Sequence, residues 1–268
     1  MTMPITGQTA VMLMLADPVS HIRGTALIND SFAALGLDAK IMPIHVRSDD
    51  LGAVLKSVRL MQNVAGLGIT IPHKVAALSL VDDLTPTARR MGATNFIRRN
   101  ADGTLTGTNT DGAGFLAGLR ANGFDPAEKR VLLAGTGGVG RAIAFALAEA
   151  GAARIDLMNR DLAKAESLAD ELRLSTPGCR VAMADGRSVA FADLLINGTS
   201  LGMKTEDPLP LDIGGLTQRT TVAEVVVQPT MTALLREAAA RGCPTIGGAE
   251  MLKPQPKLVA DFFGLVKG

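Results

Sequence analysis

The 268 residues carry 27 Lys and Arg against 26 Asp and Glu, a formal charge of +1 that argues against a nucleic-acid backbone or an anionic membrane as partner. Cys179 and Cys243 are the only cysteines and fit no C-x-x-C or metal-ligand spacing, so they read as reduced packing residues of a cytoplasmic protein rather than as a disulfide. With no Trp or Tyr, 3% aromatic residues and no apolar run of 18 residues, an aromatic stacking platform, a signal peptide and a membrane span are all disfavoured.

Taken in order, Ala10–Ala16 is an apolar run of strand length, and Ile22, Leu27, Ile28, Phe32 and Leu35 trace a helix that stops at Gly36. A second strand is expected at Ile41–Val46 and a helix after Asp49-Asp50, through Leu51, Val54, Leu55, Val58 and Leu60. Val64–Ile71 reads as a third strand running into Thr70-Ile-Pro-His-Lys74, with Val75–Leu80 as the next helix. The polar cluster Asn100-Ala-Asp-Gly103 lies between two short strand patterns and predicts a hairpin. Asn109-Thr-Asp-Gly112 caps a helix to about Leu119, which Asp125-Pro126 breaks. Beyond it come strands at 131–134, 155–158, 180–184, 194–197, 221–227 and 244–246, with helices at 161–172 and 230–240 and a terminal helix at 251–265. Strands alternating with helices imply a parallel, doubly wound sheet.

The centre of the chain is Val131-Leu-Leu-Ala-Gly-Thr-Gly-Gly-Val-Gly-Arg141, a strand, a glycine-rich turn and the start of a helix. Gly135, Gly137 and Gly140 match G-x-G-x-x-G in the context that gives the pattern its meaning: a tight turn, a backbone that can approach a pyrophosphate, and close packing of helix on strand. The helix N-terminus then presents unpaired N–H groups to the phosphates. A nucleotide domain of this kind requires a partner with acid–base groups, and the N-terminal half offers Thr70, His73, Lys74, Asn95 and Asp111.

Seven stretches, in order and at comparable spacing, resemble the shikimate dehydrogenase family: Ile69–Lys74, Gly92–Asn95, Asn109–Gly112, the Gly135 loop, Asn159-Arg160, Asn197–Met203 and Met251 to Gln255. The resemblance implies an α/β fold with an N-terminal substrate domain over residues 1–110, completed by 247–268, and a Rossmann-type doubly wound nucleotide domain over 111–246. It implies hydride transfer between a nicotinamide cofactor and shikimate, 3-dehydroshikimate or a related cyclic hydroxy acid such as quinate or aminoshikimate. Lys74 and Asp111 would be the catalytic pair, the lysine protonating the oxygen that gains charge and the carboxylate fixing the lysine. Thr70, Asn95 and Gln255 would bind ring hydroxyls. The cofactor would touch Gly135, Thr136, Gly137, Gly138, Val139, Asn159, Arg160, Asp161, Lys164, Thr199, Ser200, Val225, Gly248 and Met251. A solvated Lys74 and an Asp111 that merely caps its helix are the plainer readings of those two residues. A nucleotide-binding regulatory protein without turnover is the alternative function, against which both being intact counts. The expected partner is a small molecule, with a homodimer as the candidate assembly; His21, His45 and His73 offer no metal-ligand spacing, and no metal is assigned.

Two departures stand out. Where the family has His-Ser-x-Ser-Pro, whose hydroxyls hold the substrate carboxylate, this chain reads His21-Ile-Arg-Gly-Thr25. Arg23 and Thr25 are candidate replacements, or the substrate lacks the carboxylate. After the second nucleotide-domain strand, Arg160 and Lys164 suit a 2′-phosphate while Asp161 would repel one, so NAD is expected, with NADP the alternative.

Overall fold

The computed structural model describes residues 4–265 other than 21 and 23. Two compact units emerge, one of residues 1–110 with 254–268 and the other of 111–253.

The first unit is built on β1 (Ala10–Ala16), β2 (Ala39–His45), β3 (Val64–Ile69), β4 (Asp83–Leu84), β5 (Phe96–Arg99) and β6 (Leu105–Thr108). The sheet order is β2-β1-β3-β5-β6-β4. β1 runs parallel to β2 and β3, whereas β5 is antiparallel to both β3 and β6. Helices α1 (Gly24–Ala34) and α2 (Leu51–Val58) make the parallel crossovers, and α3 (Pro86–Met91) precedes the hairpin. The last helix of the chain, α9 (Gln255–Phe263), returns to this unit. One core joins Met12, Phe32, Ile41 and Phe96 to Val259 and Phe263; another joins Leu15, Leu67, Ile69 and Ile97 to Leu51 and Leu55. Both faces of the sheet are thus covered by apolar helix faces, the condition for parallel strands to be stable.

Several local expectations give way to short-range chemistry. Residues 76–80 form a single 3-10 turn rather than a helix, and β4 and α3 occupy a stretch with no sequence expectation. Thr85 caps α3 by accepting from the Ala88 N–H, with Pro86 in the first turn where its missing N–H costs nothing. The terminal helix begins at Gln255, not at 251, because Pro254 and Pro256 occupy its start; Gly248–Met251 is a separate 3-10 turn.

The second unit contains α4 (Asp111–Ala121), β7 (Arg130–Ala134), α5 (Gly138–Glu149), β8 (Arg154–Met158), α6 (Leu162–Ser175), β9 (Arg180–Met183), α7 (Ser188–Phe191), β10 (Leu194–Asn197), β11 (Thr221–Glu224), α8 (Ala233–Ala240) and β12 (Thr245–Ile246). Its six strands are all parallel in the order β12-β11-β10-β7-β8-β9. That is the doubly wound arrangement, whose direction of travel reverses between β7 and β10, and ligands of such sheets sit at the carboxyl ends of the strands at that reversal. Residues 247–253 stay with this unit rather than with the first: a Cβ on Gly248 would lie 2.4 Å from the Val226 carbonyl, and Asn122 Nδ2 donates to Glu250 Oε2 at 3.1 Å.

Candidate active site

In the second unit the loop after β7 turns on Gly135, at φ +96°, into α5. A Cβ on Gly140 would fall 2.0 Å from the Gly135 carbonyl, so glycine is forced there by the closeness of helix to loop. At Gly137 and Gly138 a Cβ would meet nothing within 4 Å, which leaves an open approach to the backbone at the helix start. Val139 follows, half-buried, in the first helical turn. Thr136 is 8% exposed and its Oγ1 has no protein partner, an orphan polar atom that a pyrophosphate oxygen would satisfy. Across the reversal, the loop after β10 is braced by Asn197, whose Oδ1 accepts from Thr199 N–H at 3.0 Å and Oγ1 at 2.7 Å and whose Nδ2 donates to the Leu201 carbonyl at 2.9 Å. Thr199 lies against Gly135, Ser200 is exposed, and Val225, Gly248 and Met251 are half-buried or buried near the ends of β11 and β12. A glycine turn, a helix N-terminus and a partnerless buried hydroxyl fit a dinucleotide.

A cavity of about 480 Å³ is lined by Gly137, Asn159, Arg160, Asp161 and Lys164. Asp161 is the N-cap of α6: its Oδ1 accepts from the Lys164 N–H at 3.2 Å, Oδ2 lies 3.6 Å from Lys164 Nζ, and its carbonyl accepts from Asn159 Nδ2 at 3.0 Å. The carboxylate on which the expectation of NAD rests is thus already engaged in a helix cap. Arg160, beside it, is exposed.

The same unit holds a group with no sequence expectation. Glu224, at the end of β11, is 1% exposed; Thr232 Oγ1 donates to Oε2 at 2.9 Å and Oε1 is partnerless. Burial pushes its carboxyl up to about 7. The signal available in sequence was a glutamate inside the apolar run 221–227.

In the first unit, β3 ends at Ile69 and the chain bends through Thr70, whose N–H donates to the Leu15 carbonyl at 3.1 Å. His73 is 1% exposed, and its Nε2 donates to the Val46 carbonyl at 2.8 Å. It is therefore a structural anchor that ties this turn to the end of β2. Lys74 follows, half-buried, its carbonyl accepting from the Thr94 N–H at 2.9 Å. One residue beyond Thr94, Asn95 Nδ2 donates to Thr110 Oγ1 and Asn95 Oδ1 accepts from the Thr110 N–H, both at 3.0 Å. Thr110 Oγ1 in turn donates to Gln255 Oε1 at 2.6 Å, and Gln255 Nε2 donates to the Thr110 carbonyl at 3.3 Å. Asn95 and Gln255, 160 residues apart in sequence, are 5% and 6% exposed and meet on one hydroxyl. Thr110 is the hub the sequence reading missed, although it stands within the quoted Asn109–Gly112 motif.

Asp111, 8% exposed, is the first residue of α4 in the second unit rather than the residue before it. Thr25 is buried as the second residue of α1, Ile22 is half-buried, and a Cβ on Gly24 would meet nothing within 4 Å. Arg23 lies outside the described residues. No group of three or more His, Cys, Asp or Glu that could hold a metal ion occurs among the described residues, and none of their helices is long and apolar enough to cross a membrane.

A doubly wound unit with a dinucleotide loop, on one chain with an α/β unit carrying a lysine at a strand end, defines a two-domain nicotinamide-dependent dehydrogenase class. Residues 14–97 match the shikimate dehydrogenase substrate binding domain, and residues 119–201 match the shikimate / quinate 5-dehydrogenase domain. The chain belongs to the shikimate dehydrogenase family. The shikimate dehydrogenase (NADP(+)) of Geobacter metallireducens is 37% identical over 260 residues, 94% of this chain and 90% of that one. Among solved structures, the ligand-free 5-ketofructose reductase of Gluconobacter sp. strain CHM43 superposes with a TM-score of 0.87 at 34% identity, over 96% of this chain and 94% of that one. Shikimate 5-dehydrogenase from Listeria monocytogenes, in complex with shikimate and NAD, gives 0.88 at 31% identity, over 99% of this chain and 94% of that one.

Proposed function

We propose that the protein is an NADP-dependent oxidoreductase that interconverts an alcohol and a ketone on a cyclic polyhydroxy acid of the shikimate and quinate class. The observation that carries this reading is Lys74 on an anchored strand-end turn in a chain that keeps the dinucleotide loop. The nicotinamide, when bound, supplies or accepts the hydride. The protein's part is the proton. As a ketone is reduced its oxygen gains negative charge; the Lys74 ammonium donates a proton to it, and in the reverse direction the amine takes one back. Lys74 starts from a fixed backbone, since its own carbonyl is bonded to Thr94 and the preceding ring to Val46. Thr70, Asn95 and Gln255, with Thr110 between the last two, are hydroxyl and amide groups, able to exchange hydrogen bonds with substrate hydroxyls.

NADP is favoured over NAD because the carboxylate that would oppose a 2′-phosphate is engaged: Asp161 accepts from its own helix and lies beside Lys164 Nζ, leaving the Arg160 guanidinium to meet the phosphate. Several relatives are named as NADP(+) enzymes. We place the enzyme in the cytoplasm, with a homodimer as the assembly to be read by light scattering. The test of the activity is turnover on shikimate and quinate with each cofactor. NADP-linked oxidation that Lys74→Ala abolishes is expected; no turnover on any hydroxy acid overturns the proposal.

A second reading rests on Ile22 and Gly24, which stand where the family's two serine hydroxyls bind a carboxylate. On that reading the substrate is a neutral polyhydroxy ketone, as the similarity to a 5-ketofructose reductase suggests. Restoring serine at both positions should then strengthen shikimate binding, each hydrogen bond to the carboxylate contributing about 1.5–3 kcal/mol, and the unaltered enzyme should prefer 5-ketofructose to any acid. If the unaltered enzyme prefers an acid and Arg23→Ala raises its KM, the carboxylate is held by Arg23 and this second reading fails.

A further inference from the structure

Arg130, Arg154 and Arg180 are the first residues of β7, β8 and β9, and the register sets Arg130 beside Arg154 and Arg154 beside Arg180. Laterally aligned residues of parallel strands project from the same face, and neighbouring strands are about 4.8 Å apart. Three guanidinium side chains therefore start side by side along the amino end of the sheet. Like charges directly across a strand pair are destabilising. Asp156, two residues further along β8, answers one of them, its Oδ1 lying 2.8 Å from both Nε and Nη2 of Arg154.

A fourth guanidinium arrives from α6. Arg173 Nε donates to the Val181 carbonyl at 3.1 Å and Nη1 to Asp170 Oδ1 at 2.7 Å. Arg154 and Arg173 are thus held in fixed orientations with further N–H groups available, since a guanidinium carries five. Neither Arg130 nor Arg180 has a side-chain ion partner among the described residues. Arg130 lies outside the cavity and has the Asp193 carboxylate against it, its backbone N–H donating to Oδ2 at 2.8 Å. The three guanidiniums that line the cavity, against Asp156 and Asp170, leave one positive charge and several unpaired N–H groups. Arg154, Arg173 and Arg180, with Pro177, Val181 and Ala182, line a cavity of about 430 Å³ at this place, within the range of small-molecule sites.

We propose that this cavity binds a small phosphoryl-bearing anion, with Arg154, Arg173 and Arg180 as its ligands. The planar forks of arginine match phosphoryl oxygens in pairs, which lysines would not. The site is distinct from the dinucleotide loop. That loop follows the other end of β7, five residues away, or about 16 Å at the rise of a strand.

The probe is inorganic pyrophosphate, titrated calorimetrically into the full-length protein at low ionic strength, with melting temperature as a second readout. Saturable binding is expected. Arg180→Ala and Arg173→Ala should each weaken it about tenfold or more, as loss of a charge-assisted contact does, and Arg180→Lys should restore it only in part. Saturating NADP, which fills the glycine loop, should leave it unchanged, and Arg180→Ala should bind NADP like the unaltered protein. Absence of saturable binding overturns the proposal. So does binding that saturating NADP removes and Arg180→Ala keeps, because the anion would then occupy the cofactor loop.

Discussion

Replacing Glu224 by Gln should change how stability depends on pH, with little effect in acid and a gain in alkali. Glu224 is 1% exposed, with one oxygen bonded to Thr232 and the other partnerless, and its carboxyl is raised from the ordinary 4.5 to about 7. Below pH 4.5 both folded and unfolded chains carry the proton, and the group imposes no penalty. Between 4.5 and about 7 the unfolded chain releases it while the folded chain retains it, so stability falls as pH rises and levels off above 7. At 1.36 kcal/mol per pH unit that interval is worth at most about 3.4 kcal/mol. Relaxation around the charge reduces this to roughly 1.5–3 kcal/mol. Glutamine keeps the acceptor for Thr232 and never ionises. The variant should therefore match the parent near pH 4.5 and exceed it at pH 8 by about 3–12 °C in melting temperature, at roughly 2–4 °C per kcal/mol for a chain of this size. Melting curves of both proteins from pH 4.5 to 8.5 measure the difference directly. Parallel curves, or a variant less stable at pH 8, would refute the account of a neutral buried acid.

Lys74→Ala should lower kcat by at least ~100-fold, since a positioned acid–base group is typically worth ~10²–10⁴, while cofactor affinity, followed by NADPH fluorescence, stays within a factor of about two. Arg160→Ala should weaken NADP about tenfold or more and NAD hardly at all, through loss of a charged contact to the 2′-phosphate alone; equal losses for both would assign Arg160 a structural role. Thr110→Val removes the hydroxyl shared by Asn95 and Gln255 and should raise KM for hydroxylated substrates several-fold at a stability cost of about 1–3 kcal/mol. Asp161→Ala should cost about 1 kcal/mol through loss of the α6 cap, whereas Asp161→Ser should keep the cap and strengthen NADP binding.

The alternation of strands and helices was legible because each element carries its own periodicity, and the hairpin because Asn100-Ala-Asp-Gly103 sits between two strand-forming runs. The glycine loop was legible for a steric reason: no other residue fits where a Cβ would strike the Gly135 carbonyl. What stayed hidden depends on residues distant in the chain. The two residues of β4 form a strand only through β6, more than twenty positions later. The place of Thr110 between Asn95 and Gln255 needs the chain end to come back to it. Glu224 is buried by its position in β11 and by Thr232 folding over it, and a run of apolar neighbours cannot distinguish that from a solvent-facing strand end. Asp161 was read by charge alone, although Asp-Leu-Ala-Lys opening a helix is also a capping sequence.

The return of α9 to the first unit orders the life of the nascent chain. Residues 1–110 leave the ribosome first, yet the apolar face that includes Met12, Phe32 and Phe96 waits for Val259, Ala260 and Phe263, which come last. Phe263 meets Phe96 edge to face at 6.2 Å, and Gln255 on the same helix completes the hydrogen bonding of Thr110. The second unit is continuous, so it can close on itself while that face is still uncovered; its partner depends on contacts between the two ends of the chain, the kind that form slowly and leave apolar surface exposed meanwhile. A protein ending at residue 253 should keep a folded nucleotide unit and lose both the apolar cover of the substrate unit's core and the Gln255 partner of Thr110. Aggregation during synthesis should begin at the first unit, the part that was made earliest.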